Sequence, residues 1–308
     1  MMAISQIKER NKITQDIIEG PMGREYCYVS TGNFHYGIEN EVINSRAAFY
    51  IAKNPVTVAE FTAFLEQTNY PYPKKDLAIM RSYSPYPNCP ATNTSWNDAK
   101  EYCRWMRKRT NEYFSLPSEI EWEIAARGTD KRIFPWGNDN PTLTHACLSY
   151  EYAPETTDPI GMHPQGESPF GCMDLVGNVA EWCLDSFDDE RDPHVCRGGS
   201  WCSDSEQCHS YDKIFSYPAE KRETICGFRL MYLPEDLLHL YKELASEQKI
   251  TSETETSQED SKPIEISSDK PSSIPDIAAE VTADSYESQK DTSNEIPDPS
   301  KTAFSNKQ

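Results

Sequence analysis

Positive charge is scarce in this chain. Its 30 Lys and Arg stand against 50 Asp and Glu, a formal net charge of −20. A surface of that sign repels phosphate, which excludes nucleic-acid binding through bulk charge. Long apolar runs are missing as well: nothing approaches the roughly 18 consecutive apolar residues of a membrane-spanning helix. The first twenty residues, MMAISQIKERNKITQDIIEG, are charged throughout and lack the apolar stretch of a Sec signal. The expected compartment is therefore the cytoplasm, with signal-independent export left open, and the ten Cys are expected mostly as free thiols. No Gly-rich phosphate loop, Gly-x-Ser-x-Gly elbow or fixed-period repeat occurs. The six His are scattered with no i,i+4 pair, and each reads as a packing or surface residue.

Apolar residues make up only 37%, and they are unevenly placed. From Ala245 to the end there are 14 acidic and 6 basic residues, with no Gly, Cys or Trp. Such a segment buries too little apolar area to offset its ordering entropy. Residues 249–308 therefore read as a disordered acidic tail, a solvated arm before a partner-binding one. All six Trp lie between Trp96 and Trp201, and eight of the ten Cys between Cys89 and Cys208. The expected organisation is an N-terminal extension over 1–22, helix-like over 4–18, a folded domain over 23–233 and a helix over 234–248.

Three helices are marked by their starts. Thr57-Val-Ala-Glu60 is a capping box followed by an apolar stripe of Val58, Phe61, Phe64 and Leu65. Ser95-Trp-Asn-Asp98 is a weaker box, with Ala99, Tyr102, Cys103 and Met106 on one face behind it. Ser118-Glu-Ile-Glu121 is the third, closed by Gly128. A last helix after Pro234 would carry Leu237, Leu240, Tyr241 and Leu244 on one face. Between the helices, long Pro- and Gly-bearing loops alternate with short strand-like runs at 26–30, 48–52, 194–197 and 228–232. The class is α+β with a high loop content, not alternating βαβ.

Several segments, in this order, carry a family resemblance. They are Phe49-Tyr-Ile-Ala-Lys-Asn-Pro-Val-Thr57, the run from Thr94 to Trp105, Ser115 to Gly128, Phe134-Pro-Trp-Gly137, Phe170 to Trp182, Arg197-Gly-Gly-Ser-Trp201 and Gly227-Phe-Arg229. Together they resemble the formylglycine-generating enzyme, or sulfatase-modifying factor, family across 23–233. The resemblance implies a C-type-lectin-like fold with long loops fixed by buried Trp and salt-bridged Arg, Arg127 and Arg229 among them. It does not fix the function. The family includes copper-dependent oxidases that convert a target Cys to formylglycine, and also binding proteins and domains of other enzymes.

In the family's oxidases one Cu+ is held between two thiolates, soft ligands for a soft ion. Counted from the Ser of Gly-Gly-Ser, those Cys stand third and eighth. Here Cys208 is eighth after Ser200, but Cys202 is second, giving C-x5-C in place of C-x4-C. In extended chain a one-residue shift turns a side chain to the opposite face unless a bulge restores it. Cys202 and Cys208 are thus the candidate catalytic pair, set against two ordinary thiols or, with His209, another metal site. For the last, no C-x2-C or two-His spacing supports zinc. Cys103 matches a family Cys whose disulfide partner position is Leu230 here, so that bridge is not carried over.

Asp174-Leu-Val-Gly-Asn-Val-Ala-Glu-Trp182 resembles the family's Ca2+-binding turn. The resemblance carries over Asn178 and Glu181 as side-chain ligands and Gly177 and Val179 as carbonyl donors, oxygen ligands suited to Ca2+. The alternative is a structural turn, with Asn178 left-handed and Glu181 in a buried ion pair. At the second calcium site Cys147 replaces an expected Asn. The favoured reading of the chain is a non-catalytic domain that binds a peptide or protein partner. The alternative is a copper-dependent oxidase acting through Cys202 and Cys208.

Overall fold

The computed structural model describes residues 16–150, 155–188, 191–213 and 215–244. The tail over 249–308, the segment over 1–15 and the end of the last expected helix lie outside these. In chain order the strands are β1 (Ile17–Glu19), β2 (Glu25–Val29), β3 (Gly32–Tyr36), β4 (Glu41–Ser45), β5 (Phe49–Ala52), β6 (Tyr113–Ser115), β7 (Ala180–Asp188), β8 (Arg191–Arg197), β9 (Phe215–Tyr217), β10 (Cys226–Gly227) and β11 (Met231–Leu233). The helices are α1 (Val58–Thr68), α2 (Lys74–Tyr83), α3 (Trp96–Thr110), α4 (Glu119–Arg127) and α5, over 235–244.

All three expected capping boxes close: Thr57 with Glu60, Ser95 with Asp98 and Ser118 with Glu121 each bond reciprocally. The weaker, Asp-bearing box has a second task. Asp98 is fully buried and also receives a bidentate pair from Arg222, both bonds 2.7 Å, and the Tyr70 hydroxyl at 3.0 Å. Helix α2 carries no such signal: it starts at Pro73 without a side-chain cap and buries only Met80. Helix α5 docks through buried Tyr241, which donates to the capping Glu121, while Leu240 stays exposed.

Strands β1, β2, β5, β11 and β6 form an antiparallel sheet in that order. Ile17 and Ile18, expected to end a helix-like segment, and Glu19 after them pair instead with Cys27, Tyr26 and Glu25. Two adjacent isoleucines continue the sheet edge there, so the folded body begins before residue 23. A second sheet runs β10-β7-β8-β9, with β10 parallel to β7, and β3-β4 is a separate hairpin. Helices α1 and α3 close the core through an aromatic cluster in which Phe61 meets Phe64, Tyr72 and Phe228 at 5.4–6.2 Å between centroids. Buried indoles find acceptors: Trp182 Nε1 donates to the Thr94 carbonyl at 2.9 Å and Trp122 Nε1 to Glu181 at 2.8 Å. The irregular segments between β6 and β7 and after β8 are the parts that build the site.

Candidate functional site

Strand β8 ends at Arg197 and the chain turns through Gly198 (φ 91°) and Gly199 (φ 71°). A Cβ on Gly199 would stand 2.3 Å from the Cys208 sulfur. Glycine is required here for both conformation and space, because Cys208 is packed directly beneath the turn. A single helical turn at Ser205–Gln207 brings the chain back, and Cys208 is buried against Phe134, Leu148 and Val176. Its thiol donates to the Asp204 carbonyl at 3.3 Å, and burial pushes its pKa up to about 12. Cys202 is exposed, its sulfur 3.4 Å from Ser200 Oγ. A Cu+ bridge needs two thiolates facing one accessible space. One thiol packed beneath the turn and one on the surface do not face one accessible space.

Below the turn lies a buried ionic network. Arg197 donates to Glu119 at 2.7 Å and to Glu123 at 2.6 Å, and Arg127 donates to Glu123 at 2.7 Å. Glu123 also accepts the Gly37 N–H at 2.7 Å, tying the β3–β4 hairpin to α4. Arg127 and Arg229 thus serve buried pairs, as the sequence implied. Above the network a row of half-buried rings runs from His145 through Trp136, Phe134 and His209 to Tyr211, with successive centroids 4.8–5.5 Å apart. Phe134, the buried member, packs on Cys208.

The turn at Gly177-Asn178 joins this region from the other side. Asn178 is left-handed, at φ 61°. Its Oδ1 accepts the Asp158 N–H at 3.1 Å, and its Nδ2 donates to the Asp158 carbonyl at 3.1 Å and to Asp174 at 3.3 Å. Glu181 accepts Arg229 Nε at 2.6 Å and Nη2 at 2.7 Å, besides the Trp122 indole. Tested against Ca2+, these two side chains do not fit as ligands: the Asn178 amide is closed on Asp158, and a guanidinium already neutralises Glu181. Gly177 and Val179 belong to the same turn, where Gly177 N–H donates to the Gly198 carbonyl at 2.9 Å and links the two turns. The turn's cation is Arg229.

One grouping had no counterpart in sequence reasoning. Cys147, Asp158 and His163 each offer a donor atom, all within 4.8 Å of one another. From the sequence, Cys147 reads only as a replacement in a calcium position, and His163 as a packing or surface residue. Their spacings of 11 and 5 match no ligand motif, and only the folded loops bring them together.

The family model for the sulfatase-modifying factor enzyme 1-like domain matches residues 16–232. The chain belongs to this family. The sulfatase-modifying factor domain is similar to the inactive Cα-formylglycine-generating enzyme 2 of Bos taurus, at 38% identity over 122 residues, 36% of this chain and 38% of the relative. It is also similar to the formylglycine-generating enzyme of Thermomonospora curvata, at 33% identity over 153 residues, 41% of this chain and 48% of that one. The match therefore spans less than half of either relative. Among solved structures, PvdO from Pseudomonas aeruginosa shares the fold, with a TM-score of 0.60 at 21% identity, covering 71% of this chain and 98% of PvdO. The α+β, C-type-lectin-like architecture of the sulfatase-modifying factor family is thus the architecture of this chain.

Proposed function

We propose that this sulfatase-modifying factor domain is a non-catalytic member of its family that binds an extended segment of a protein or peptide partner. The different placement of Cys202, exposed, and Cys208, buried beneath the Gly198-Gly199 turn, carries this reading. Copper oxidase chemistry requires that both sulfurs become thiolates on one ion. The half-buried ring row from His145 to Tyr211 offers the partner flat apolar faces with polar edges, the composition typical of recognition surfaces. Neither copper nor calcium takes part in this binding, and the cytoplasm expected from the sequence is the compartment that goes with this reading.

The test is Cu+ titration of the reduced full-length protein beside Cys208→Ser, with mass analysis of a Cys-bearing sulfatase peptide incubated with it under O2. The expected outcome is no stoichiometric copper bound through Cys208 and no aldehyde formed. One-to-one binding that disappears in Cys208→Ser, together with peptide conversion, would establish the oxidase instead.

A further inference from the structure

Residues 142–150 and 155–166 form two loops that pack on the Gly177-Asn178 turn. The first is fixed through Cys147, whose carbonyl accepts the Asn178 N–H at 2.8 Å. A Cβ on Gly177 would stand 2.2 Å from that same carbonyl oxygen, so the approach depends on glycine. The second is fixed through Asp158, whose backbone is bonded on both sides by the Asn178 amide. These clamps hold the side chains of Cys147, Asp158 and His163 against one another, and the sulfurs of Cys202 and Cys208 are not among the grouped donors.

The histidine's tautomer follows from its partners. His163 Nδ1 lies 2.8 Å from the Leu143 carbonyl, which can only accept, so Nδ1 carries a proton. Its Nε2 faces Asp158 Oδ2 at 3.2 Å. A neutral ring would therefore aim a lone pair at a carboxylate lone pair, which is repulsive. A cation must stand between them, either a proton on Nε2 or a metal ion. An Nδ1–H held by a backbone carbonyl, with Nε2 free to ligate, is the usual support of a metal-binding histidine.

Cys147 decides between the two. Its side chain is buried, and the Asp158 carboxylate lies within hydrogen-bonding reach of the thiol. Proton sharing between His163 and Asp158 leaves the thiol only weak donor roles, toward the carboxylate and toward the Thr156 carbonyl at 3.7 Å. A divalent ion uses all three groups, and its charge offsets the burial and carboxylate repulsion that otherwise keep the thiol protonated. Tetrahedral zinc, with Zn–S near 2.3 Å and Zn–N and Zn–O near 2.0–2.1 Å, spaces its ligand atoms about 3.3–3.7 Å apart. The His163–Asp158 pair already stands at about that spacing, and the whole set within 4.8 Å closes by small side-chain rotations. One sulfur, one imidazole and one carboxylate suit zinc, whereas calcium takes oxygens alone.

We propose that Cys147, Asp158 and His163 form a zinc(II) site. Asp158 is its exposed member, with 36% of its side chain accessible against 6% for His163, so the ion enters from that side. The fourth coordination place faces the same way and takes water. The ion adds a bond between two loops that already meet through the Asn178 turn and through direct hydrogen bonds such as Gln165 N–H to the Thr144 carbonyl at 3.1 Å.

The test is equilibrium dialysis of Zn2+ against the reduced full-length protein, with Co2+ replacing Zn2+ for spectroscopy. The expected result is one tightly bound equivalent and, with cobalt, near-ultraviolet thiolate-to-metal absorption and visible bands of tetrahedral intensity. Cys147→Ser should abolish the thiolate absorption and His163→Gln should weaken binding at least 100-fold. Cys202→Ser should change neither. Asp158→Asn, at the exposed member, should weaken binding at least tenfold, and it gives the answer if Cys147→Ser fails to fold. Absence of a stoichiometric ion, or a thiolate band that survives Cys147→Ser and disappears in Cys202→Ser or Cys208→Ser, would overturn the proposal.

Discussion

Arg229 sets its guanidinium edge-on against the Glu181 carboxylate, Nε to Oε2 at 2.6 Å and Nη2 to Oε1 at 2.7 Å. The same guanidinium donates to the carbonyls of Ala52 and Met173 at 3.0 and 2.8 Å. One side chain therefore joins β5, the loop before the Gly177 turn, and β7. Removing one partner leaves the other charge buried without compensation. Glu181→Gln is expected to destabilise the fold by about 3–5 kcal/mol, read from urea unfolding. Because the pair already balances its charge, added Ca2+ should shift the melting temperature of the wild-type protein by less than about 1 °C. A large calcium-dependent rise would return Glu181 to the role of calcium ligand.

The two site cysteines should differ sharply toward alkylation. At pH 8, a thiol whose pKa burial has raised to about 12 is ionised to roughly one part in 10⁴. Cys202 is exposed and should label with iodoacetamide in the folded protein, whereas Cys208 should label only after denaturation. Peptide mapping of the labelled protein reads this directly. Equal labelling of both in the native state would remove the basis of the non-catalytic reading.

Gly199 should tolerate no side chain. Alanine there meets the Cys208 sulfur at 2.3 Å and must also adopt φ 71°. Overpacking of this kind costs about 1–3 kcal/mol and the left-handed backbone about 1 kcal/mol more. Adding Cys208→Ala to Gly199→Ala should recover the steric part and leave the backbone part. A double variant no more stable than Gly199→Ala would show that the sulfur does not fill that space.

Stability should fall as pH rises from about 4 to 7 through Asp185. Burial pushes its carboxyl up to about 7, where its oxygen accepts the Glu119 N–H at 2.6 Å. An unfolded Asp titrates near 3.9. Between these values the folded state binds the extra proton, so the stabilisation is complete below about pH 4 and lost by about pH 7. Allowing for solvent screening of this half-buried group, the change is on the order of 1–2 kcal/mol. Asp185→Asn should flatten that slope; an unchanged pH profile in the variant would assign the slope to another group.

Much of this fold is readable from local chemistry. Thr57, Ser95 and Ser118 announce their helices because a capping box acts within four residues. The C-x5-C spacing of Cys202 and Cys208 is a weaker guide, because the extended-chain rule does not apply across the helical turn at Ser205–Gln207. Helix α2 has no local signal, because no side chain caps its start and Met80 is its one fully buried residue. Strand β1 was read as the end of a helix because Ile17 and Ile18 acquire strand character only by pairing with β2. The Cys147, Asp158 and His163 group was invisible for a different reason. Its members meet only once two loops close on each other and on the Asn178 turn, a long-range event with no local spacing rule.

Glu123 lends the molecule a mechanical property. One carboxylate oxygen holds Arg127 and the Gly37 N–H of the hairpin, and the other holds Arg197, the last residue before the Gly198-Gly199 turn. The hairpin and the roof over Cys208 are therefore yoked to the same rigid helix, α4. A partner that docks on the outer hairpin therefore sits on the same helix that anchors, through Arg197, the turn covering the thiol.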